Sequence, residues 1–330
     1  MPKIVRFHET GAAKVLKLED LPLAEPGEGE VRLKVEAMGL NRAEVLFRQG
    51  QYLQKPDLPS RIGYEAAGTV DAVGPGVSGV EIGDRVSTIP GFNMSKYGVY
   101  GESAIVPSYA AASYPDNLSP VEGTAIWMQY LTAFGALVEY GHIEKDDLVL
   151  ITAASSSVGL AAIQITKAAG ALALATTRGA GKKKFLLNAG ADHVIVTDEE
   201  DLVERVMAIT SGNGARIVFD PVAGPLLEKL AEAAAPGGVI FEYGALSPEP
   251  TAFPLWSAME KGLIVRGYTL FEIVQDAEKL AGGKHYIHDG LKSGALKPII
   301  DRTFPLDAIA DAHRYMESNR QQGKIVVTVS

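Results

Sequence analysis

Residues 153–159 read Ala-Ala-Ser-Ser-Ser-Val-Gly and follow directly on the apolar run 148–151. Their types suit one kind of chemistry. Small residues let a backbone approach a ligand closely, and serine hydroxyls add hydrogen-bond donors. From Val158 a helical pattern begins, with Leu160, Ile163 and Ile165 set among Ala161 and Ala162, and Gly170 placed to end it. A strand, a tight turn and a helix start make an anion site, because unpaired N–H groups and the positive end of the helix dipole meet there. The glycines of the phosphate-binding pattern G-x-G-x-x-G fall on Ala154, Ser156 and Gly159, so only one of the three is present. Two readings stand on these residues alone. One is a variant turn in which Ser155, Ser156, Ser157, Val158 and Gly159 face a pyrophosphate; the other is a βα unit with no ligand. The run 148–166 carries no charge, but its three serines, two threonines and glutamine argue against a membrane span.

The next strand ends at Thr176, Thr177 and Arg178, and Lys182, Lys183 and Lys184 follow. A site for NAD would place an acidic residue about twenty positions after the glycines, to accept from the ribose 2′-hydroxyl. None stands between Asp147 and Asp192. Arginine grips phosphate oxygens through a fork, lysine adds a point charge and threonine a hydroxyl, so Thr177, Arg178 and Lys182 suit a 2′-phosphate, hence NADP rather than NAD. The bland alternative is that the lysines solvate a helix start, where the dipole disfavours cations. Two further loops end strands on the same edge: 219–224, with Val222, and 242–246, with Tyr243, Gly244 and Leu246. Each is either a plain turn or a cofactor contact.

The elements that must position these residues are readable from the whole chain. At 330 residues with 47% hydrophobic content, two domains with ample cores are available. A formal charge of -9 gives no reason to expect nucleic acid or an anionic membrane as partner. Cysteine is absent, which excludes disulfides and thiolate metal sites; with an N-terminal stretch lacking an apolar signal core, a cytoplasmic protein is expected. From residue 3 to about 121 the pattern is β-rich, with strands at 4–7, 30–37, 68–73, 85–88 and 103–106 and one helix near 41–49. From about 124 the period changes. Helices near 125–140, 158–169, 182–189, 202–210 and 225–234 alternate with strands at 148–151, 171–176, 193–196, 217–220 and 238–241, which predicts an α/β doubly wound parallel sheet. A helix at 306–318 and a strand at 324–329 return to the β-rich part. The stretch between Gly262 and Leu270 reads as an edge strand open to a twofold mate, so a homodimer is expected.

Several pieces now fall into one order: 35–44 (Val-Glu-Ala-Met-Gly-Leu-Asn-Arg-Ala-Glu), 63–68 (Gly-Tyr-Glu-Ala-Ala-Gly), 83–86 (Gly-Asp-Arg-Val), the serine turn at 153–159, and Gly323-Lys324. Together they resemble the medium-chain dehydrogenase/reductase superfamily, and within it the zinc-free quinone oxidoreductases related to zeta-crystallin. The resemblance spans essentially the whole chain. It implies a GroES-like catalytic domain of residues 1–123 completed by about 271–330, a Rossmann domain of residues 124–270, NADPH as cofactor, and a dimer through Rossmann edge strands. Zinc alcohol dehydrogenases of the superfamily carry a cysteine before the Asn41 region and a histidine where this chain has Tyr64. With neither present, a tetrahedral nitrogen and sulfur site cannot be assembled in that way, and no metal is expected. His285 and His288 have ligand-like spacing but lack a third partner, and are read as surface residues.

The resemblance also assigns roles. Asn41 is implied to face the nicotinamide ribose and substrate, a role compatible with capping the helix that follows. Tyr52, eleven positions on, matches the proposed proton donor of metal-free enoyl-thioester reductases, and Tyr64 is the second hydroxyl implied in the cleft; for each, plain core packing is the alternative. Thr132, Phe271 and Lys324 are implied cofactor contacts, with a buried helix position for Thr132 and an ordinary edge lysine for Lys324 as the alternatives. The function this implies is hydride transfer from NADPH to a quinone or related α,β-unsaturated carbonyl. An enoyl-thioester reductase using Tyr52, and a cofactor-binding crystallin-like protein with little turnover, are the other readings.

Overall fold

A computed structural model describes residues 1–329. Two compact units form, Met1–Met128 with Pro298–Ser330, and Gln129–Lys297. Both boundaries lie later than the sequence suggests. The second moves furthest, because the helix Ala277–Ser293 stays with the second unit: Tyr286 packs on Phe134 at 5.3 Å between ring centroids, and Gly283 leaves no room for a side chain beside Leu131.

The first unit is built on one sheet drawn from both ends of the chain. Its strands lie in the order Ile300–Pro305, Lys324–Thr328, Glu30–Gly39, Glu65–Val73, Arg85–Thr88, Ala111–Ser113, and Ser103–Pro107 also pairs with Glu30–Gly39. The pairings are antiparallel except between Ile300–Pro305 and Lys324–Thr328. Register decides what meets what. Val326 lies opposite Gly39, and Leu40 N–H donates to Ile325 O at 3.0 Å, so the ladder carried two residues further sets Lys324 beside Asn41. On its other side Gly39 lies opposite Glu65. Lys324–Thr328 is thus an interior strand, which overturns the edge-lysine reading: Lys324 is 1% exposed.

The second unit is a six-stranded parallel sheet in the order His193–Val196, Leu172–Thr177, Leu148–Ile151, Ala215–Asp220, Ala234–Glu242, Ile264–Gly267. This is the doubly wound order, and its winding reverses between Leu148–Ile151 and Ala215–Asp220. Every residue of Leu148–Ile151 is buried, as a strand covered on both faces requires. The turn after it and the loops after Ala215–Asp220 and Ala234–Glu242 lie on the carboxyl edge, where such folds bind ligands. Ile264–Gly267 is an edge strand, as its composition suggested. The helix expected over 125–140 is two pieces, Trp127–Phe134 and a wider-wound π turn Gly135–Tyr140. Among the described residues no helix is long and apolar enough to cross a membrane.

Candidate functional site

In the first unit a buried polar cluster forms where the register brings three strands' ends together. Lys324 Nζ donates to Asn41 Oδ1 at 2.6 Å and to Glu65 Oε2. Asn41 Nδ2 donates to Glu65 Oε2 at 3.1 Å and to Glu44 Oε1 at 3.2 Å. The remaining Glu65 oxygen accepts from Met128 N–H at 2.9 Å. Gly39 makes the passage for the lysine: a Cβ there would lie 2.3 Å from Thr124 O and 2.7 Å from Lys324 Cε. Two charges taken out of water are tolerated because each finds the other and a polar neighbour. Asn41 opens the helix Arg42–Arg48, and Glu44 returns to accept from its backbone N–H at 2.5 Å, as a capping box does. Glu44 also accepts from Tyr64 N–H at 3.2 Å. Its donors are all neutral, and burial pushes its carboxyl up to about 7, with Lys324 opposing.

Next to this cluster stand the two phenols. The Tyr64 ring is buried against Phe92 at 5.5 Å and against Tyr52 at 6.5 Å, and Phe92 continues to Tyr97 at 6.3 Å, so four aromatic rings follow one another. The hydroxyls of Tyr64 and Tyr52 pair with each other. Burial pushes Tyr52 up to about 12 and Tyr64 further, so both are neutral donors across the physiological range.

In the second unit the serine turn takes the geometry of an anion site. Ser156 caps the helix Ser157–Ala168, its Oγ accepting from Gly159 N–H at 3.0 Å. Ala153 has φ 44°, the left-handed bend that a glycine more often supplies. The surviving glycine is explained by contact: a Cβ on Gly159 would lie 2.6 Å from Ala154 Cα, so helix and turn can close only without one. Ser157 and Val158 occupy the first helical turn, where N–H groups lack intrahelical partners. Lys182 Nζ reaches Ser155 Oγ at 2.9 Å, bringing a cation to the turn. Thr177 ends its strand with its hydroxyl donating to Gly179 O at 3.3 Å, and Arg178 is exposed beside it. This donor set fits phosphate groups.

The two loops on the same edge are joined. Tyr243 N–H donates to Asp220 O at 2.9 Å, Leu246 N–H to Pro221 O at 3.0 Å and Ser247 N–H to Val222 O at 2.9 Å. Gly244 permits this, since a Cβ there would meet Pro221 O at 2.8 Å. The Tyr243 ring stacks on Phe219 at 4.0 Å between centroids, with its hydroxyl buried. Beneath lies a pair of acids, Asp220 and Glu242, that no motif in the chain marks out. Asp220 accepts from Thr152 Oγ1 and, at 2.6 Å, from Ala223 N–H, while its register partner Glu242 is pushed well up by burial and by the Asp220 charge.

The remaining sequence-derived residues are placed less tellingly. Thr132 is buried within Trp127–Phe134, and Phe271, half-buried, opens the short helix Phe271–Val274. His285 is on the surface, 3.3 Å from Asp289. Among the described residues no three His, Cys, Asp or Glu are grouped to hold a metal ion. Glu44 and Glu65 are members of the cluster that residue type alone did not announce; the signal was their place in the quoted motifs, three residues after Asn41 and one after Tyr64.

Residues 27–153 match the alcohol dehydrogenase GroES-like domain, and residues 189–327 match the zinc-binding dehydrogenase domain. Quinone oxidoreductase 1 of Escherichia coli K12 is 33% identical over 97% of both chains. The crystal structure of Escherichia coli quinone oxidoreductase complexed with NADPH superposes with TM-score 0.92 at 31% identity, covering 99% of each chain. That of the JamJ enoyl reductase in its apo form superposes with TM-score 0.88 at 25% identity over the whole of both. The GroES-like sheet closed by both chain ends, the 3-2-1-4-5-6 parallel sheet and these matches together place the chain in the quinone oxidoreductase family of the medium-chain dehydrogenase/reductases.

Proposed function

We propose that this chain is a zinc-independent, NADPH-dependent reductase that delivers a hydride to a quinone or related α,β-unsaturated carbonyl, working as a homodimer. The observation that carries it is the serine turn at a helix N-terminus, with Lys182 on Ser155 and no acidic residue at the end of the neighbouring strand. The names of the relatives support it. Ser155, Ser156, Ser157, Val158 and Gly159 would hold the pyrophosphate, and Thr177, Arg178 and Lys182 the 2′-phosphate. Contacts from Val222, Tyr243, Gly244 and Leu246 rest on their place at the carboxyl edge, and those of Asn41, Thr132, Phe271 and Lys324 on the family resemblance. Zinc independence is supported by a chain without cysteine and by Tyr64 standing where zinc-binding members have histidine.

When bound, NADPH supplies the hydride. Tyr52, half-buried and backed by the buried Tyr64 and Phe92 rings, gives a flat apolar acceptor a ring to lie against. As hydride arrives, the acceptor oxygen gains negative charge, and Tyr52, paired with the Tyr64 hydroxyl, is the donor assigned to it, on its match to the proton donor of the enoyl-thioester reductases. Lys324 and Glu65 fix both ends of the Asn41 amide, leaving its second oxygen lone pair as the acceptor it can offer a ligand.

NADPH should raise the melting temperature and be oxidised in the presence of quinones. Arg178→Ala with Lys182→Ala should weaken NADPH by about 100-fold and NADH by far less, on the loss of two charge-assisted phosphate contacts. Equal loss for both nucleotides would remove the 2′-phosphate assignment. An enoyl-thioester reductase is the second reading, favoured by Tyr52; Tyr52→Phe should abolish reduction of thioesters, whereas a quinol can draw its proton from solvent.

A further inference from the structure

The buried cluster of the first unit holds two carboxyl groups and one ammonium, and the ammonium is committed. Lys324 bonds Glu65 and Asn41 and makes no hydrogen bond to Glu44. Glu44 is left with neutral donors only, the Asn41 N–H, the Asn41 amide and the Tyr64 N–H. Glu65 and Lys324 therefore cancel, and whatever charge the cluster shows to its surroundings is that of Glu44. The titratable groups that face it are Glu65 from the strand after Tyr64, Lys324 from the last strand, and the phenols Tyr52, Tyr64 and Tyr100. Tyr64 is tied to Glu44 through its backbone and to Tyr52 through its hydroxyl.

We propose that Glu44 is a positioning residue whose charge state gates proton delivery: neutral, it lets the Tyr64–Tyr52 pair stabilise oxyanion character on the substrate, and ionised, it opposes it. The inference rests on Tyr52 being the donor to the substrate oxygen. The balance is simple. Hydride adds two electrons and a proton to the acceptor carbon or ring, the oxygen takes a proton from Tyr52, and Tyr52 is reprotonated from Tyr64 and solvent; Glu44 itself loses nothing in the cycle. A negative charge near a phenol makes it a weaker acid, so ionisation of Glu44 raises the barrier to that proton transfer. With burial holding the Glu44 carboxyl up to about 7, the change falls in the neutral range.

The test uses the full-length protein with NADPH and a benzoquinone. kcat/KM should fall about five- to tenfold between pH 6 and 8, the size expected for one charge acting across a partly buried site. Glu44→Gln should remove that inflection. A glutamine offers one acceptor oxygen where Glu44 uses two, so it must give up either the Asn41 N–H or the Asn41 amide and Tyr64 N–H, and the unmodified protein therefore carries a second readout: the infrared C=O band of a protonated carboxylic acid that titrates near neutral pH without any turnover. Turnover with no inflection, an inflection retained in folded Glu44→Gln, or an unmodified protein lacking the band each overturns the inference and leaves the reductase assignment standing. No NADPH oxidation with any quinone at any pH overturns the reductase reading and this inference with it.

Discussion

Lys324 shows how much a single side chain can be asked to hold. Removing its ammonium leaves Glu65 buried beside Asn41 with no counter-charge, and breaking a buried pair from one side costs about 3–5 kcal/mol. Lys324→Met should lower stability by that amount in urea unfolding, and Glu65→Gln added to it should restore much of the loss; additive losses would show that the pair is not the unit. His313 makes the opposite point. It is fully buried on the helix Ile309–Glu317, both ring nitrogens are without a partner, its ring meets Tyr100 edge-on at 6.0 Å, and burial with the nearby Arg48 charge pushes it down to about 3 from 6.5. The unfolded chain therefore takes up a proton below pH 6.5 that the folded chain refuses. Stability conferred by the neutral ring is whole above that value and falls as pH drops towards 3, by about 2 kcal/mol at pH 5. His313→Met, close in volume, should flatten that part of the pH–stability curve; a curve unchanged from the parent's would place the acid sensitivity elsewhere.

At the scale of elements, the serine turn can be tested against its own geometry. Gly159→Ala puts a methyl group 2.6 Å from Ala154 Cα and 2.7 Å from Ala154 O, atoms of a backbone that has no side chain to swing aside. The turn must open, and NADPH affinity should drop at least about tenfold by calorimetry, the loss expected when one or two phosphate-facing N–H groups are misplaced. Gly181→Ala, with open space around it, should leave affinity unchanged. This turn was legible in the chain because strand, small residues and helix are adjacent in sequence, and the same locality made Arg85–Thr88, Leu148–Ile151 and His193–Val196 readable to their end residues. The cluster around Lys324 was not. Its members lie at 41, 44, 65 and 324, and only the register of three strands joins them. The 17-residue helix Ala277–Ser293 also escaped, since it carries three glycines and buries only Gly283, Ile287 and Leu291, too sparse a stripe to mark a helical period. The break at Gly135 was hidden for another reason: a Cβ there would strike the Tyr268 hydroxyl at 2.1 Å, a contact made by a residue 133 positions away.

The whole molecule poses the question of what covers the edge of the parallel sheet. Ile264 on the edge strand Ile264–Gly267 is 58% exposed, and the helix before it shows Leu255, Trp256 and Met259 at 50, 78 and 66%, with Phe253 at 60%. Five large apolar side chains on 12 consecutive residues of a chain with a formal charge of -9 are too concentrated for ordinary surface. The edge strand also offers a row of unpaired backbone groups. A second copy related by a twofold axis satisfies both at once, because an isologous interface lets the same strand pair with itself and the same apolar side chains cover each other. Trp256 is the side chain with most to bury, and a central tryptophan removed from such an interface costs about 2–4 kcal/mol per contact site. Sedimentation equilibrium should therefore find a dimer at micromolar concentration, and Trp256→Glu should weaken it by about 100-fold or more while leaving far-ultraviolet circular dichroism unchanged. Ile264→Arg on the strand itself should act in the same direction. A monomeric parent protein, or a Trp256→Glu dimer as tight as the parent's, would mean that this face is covered by something other than its own copy.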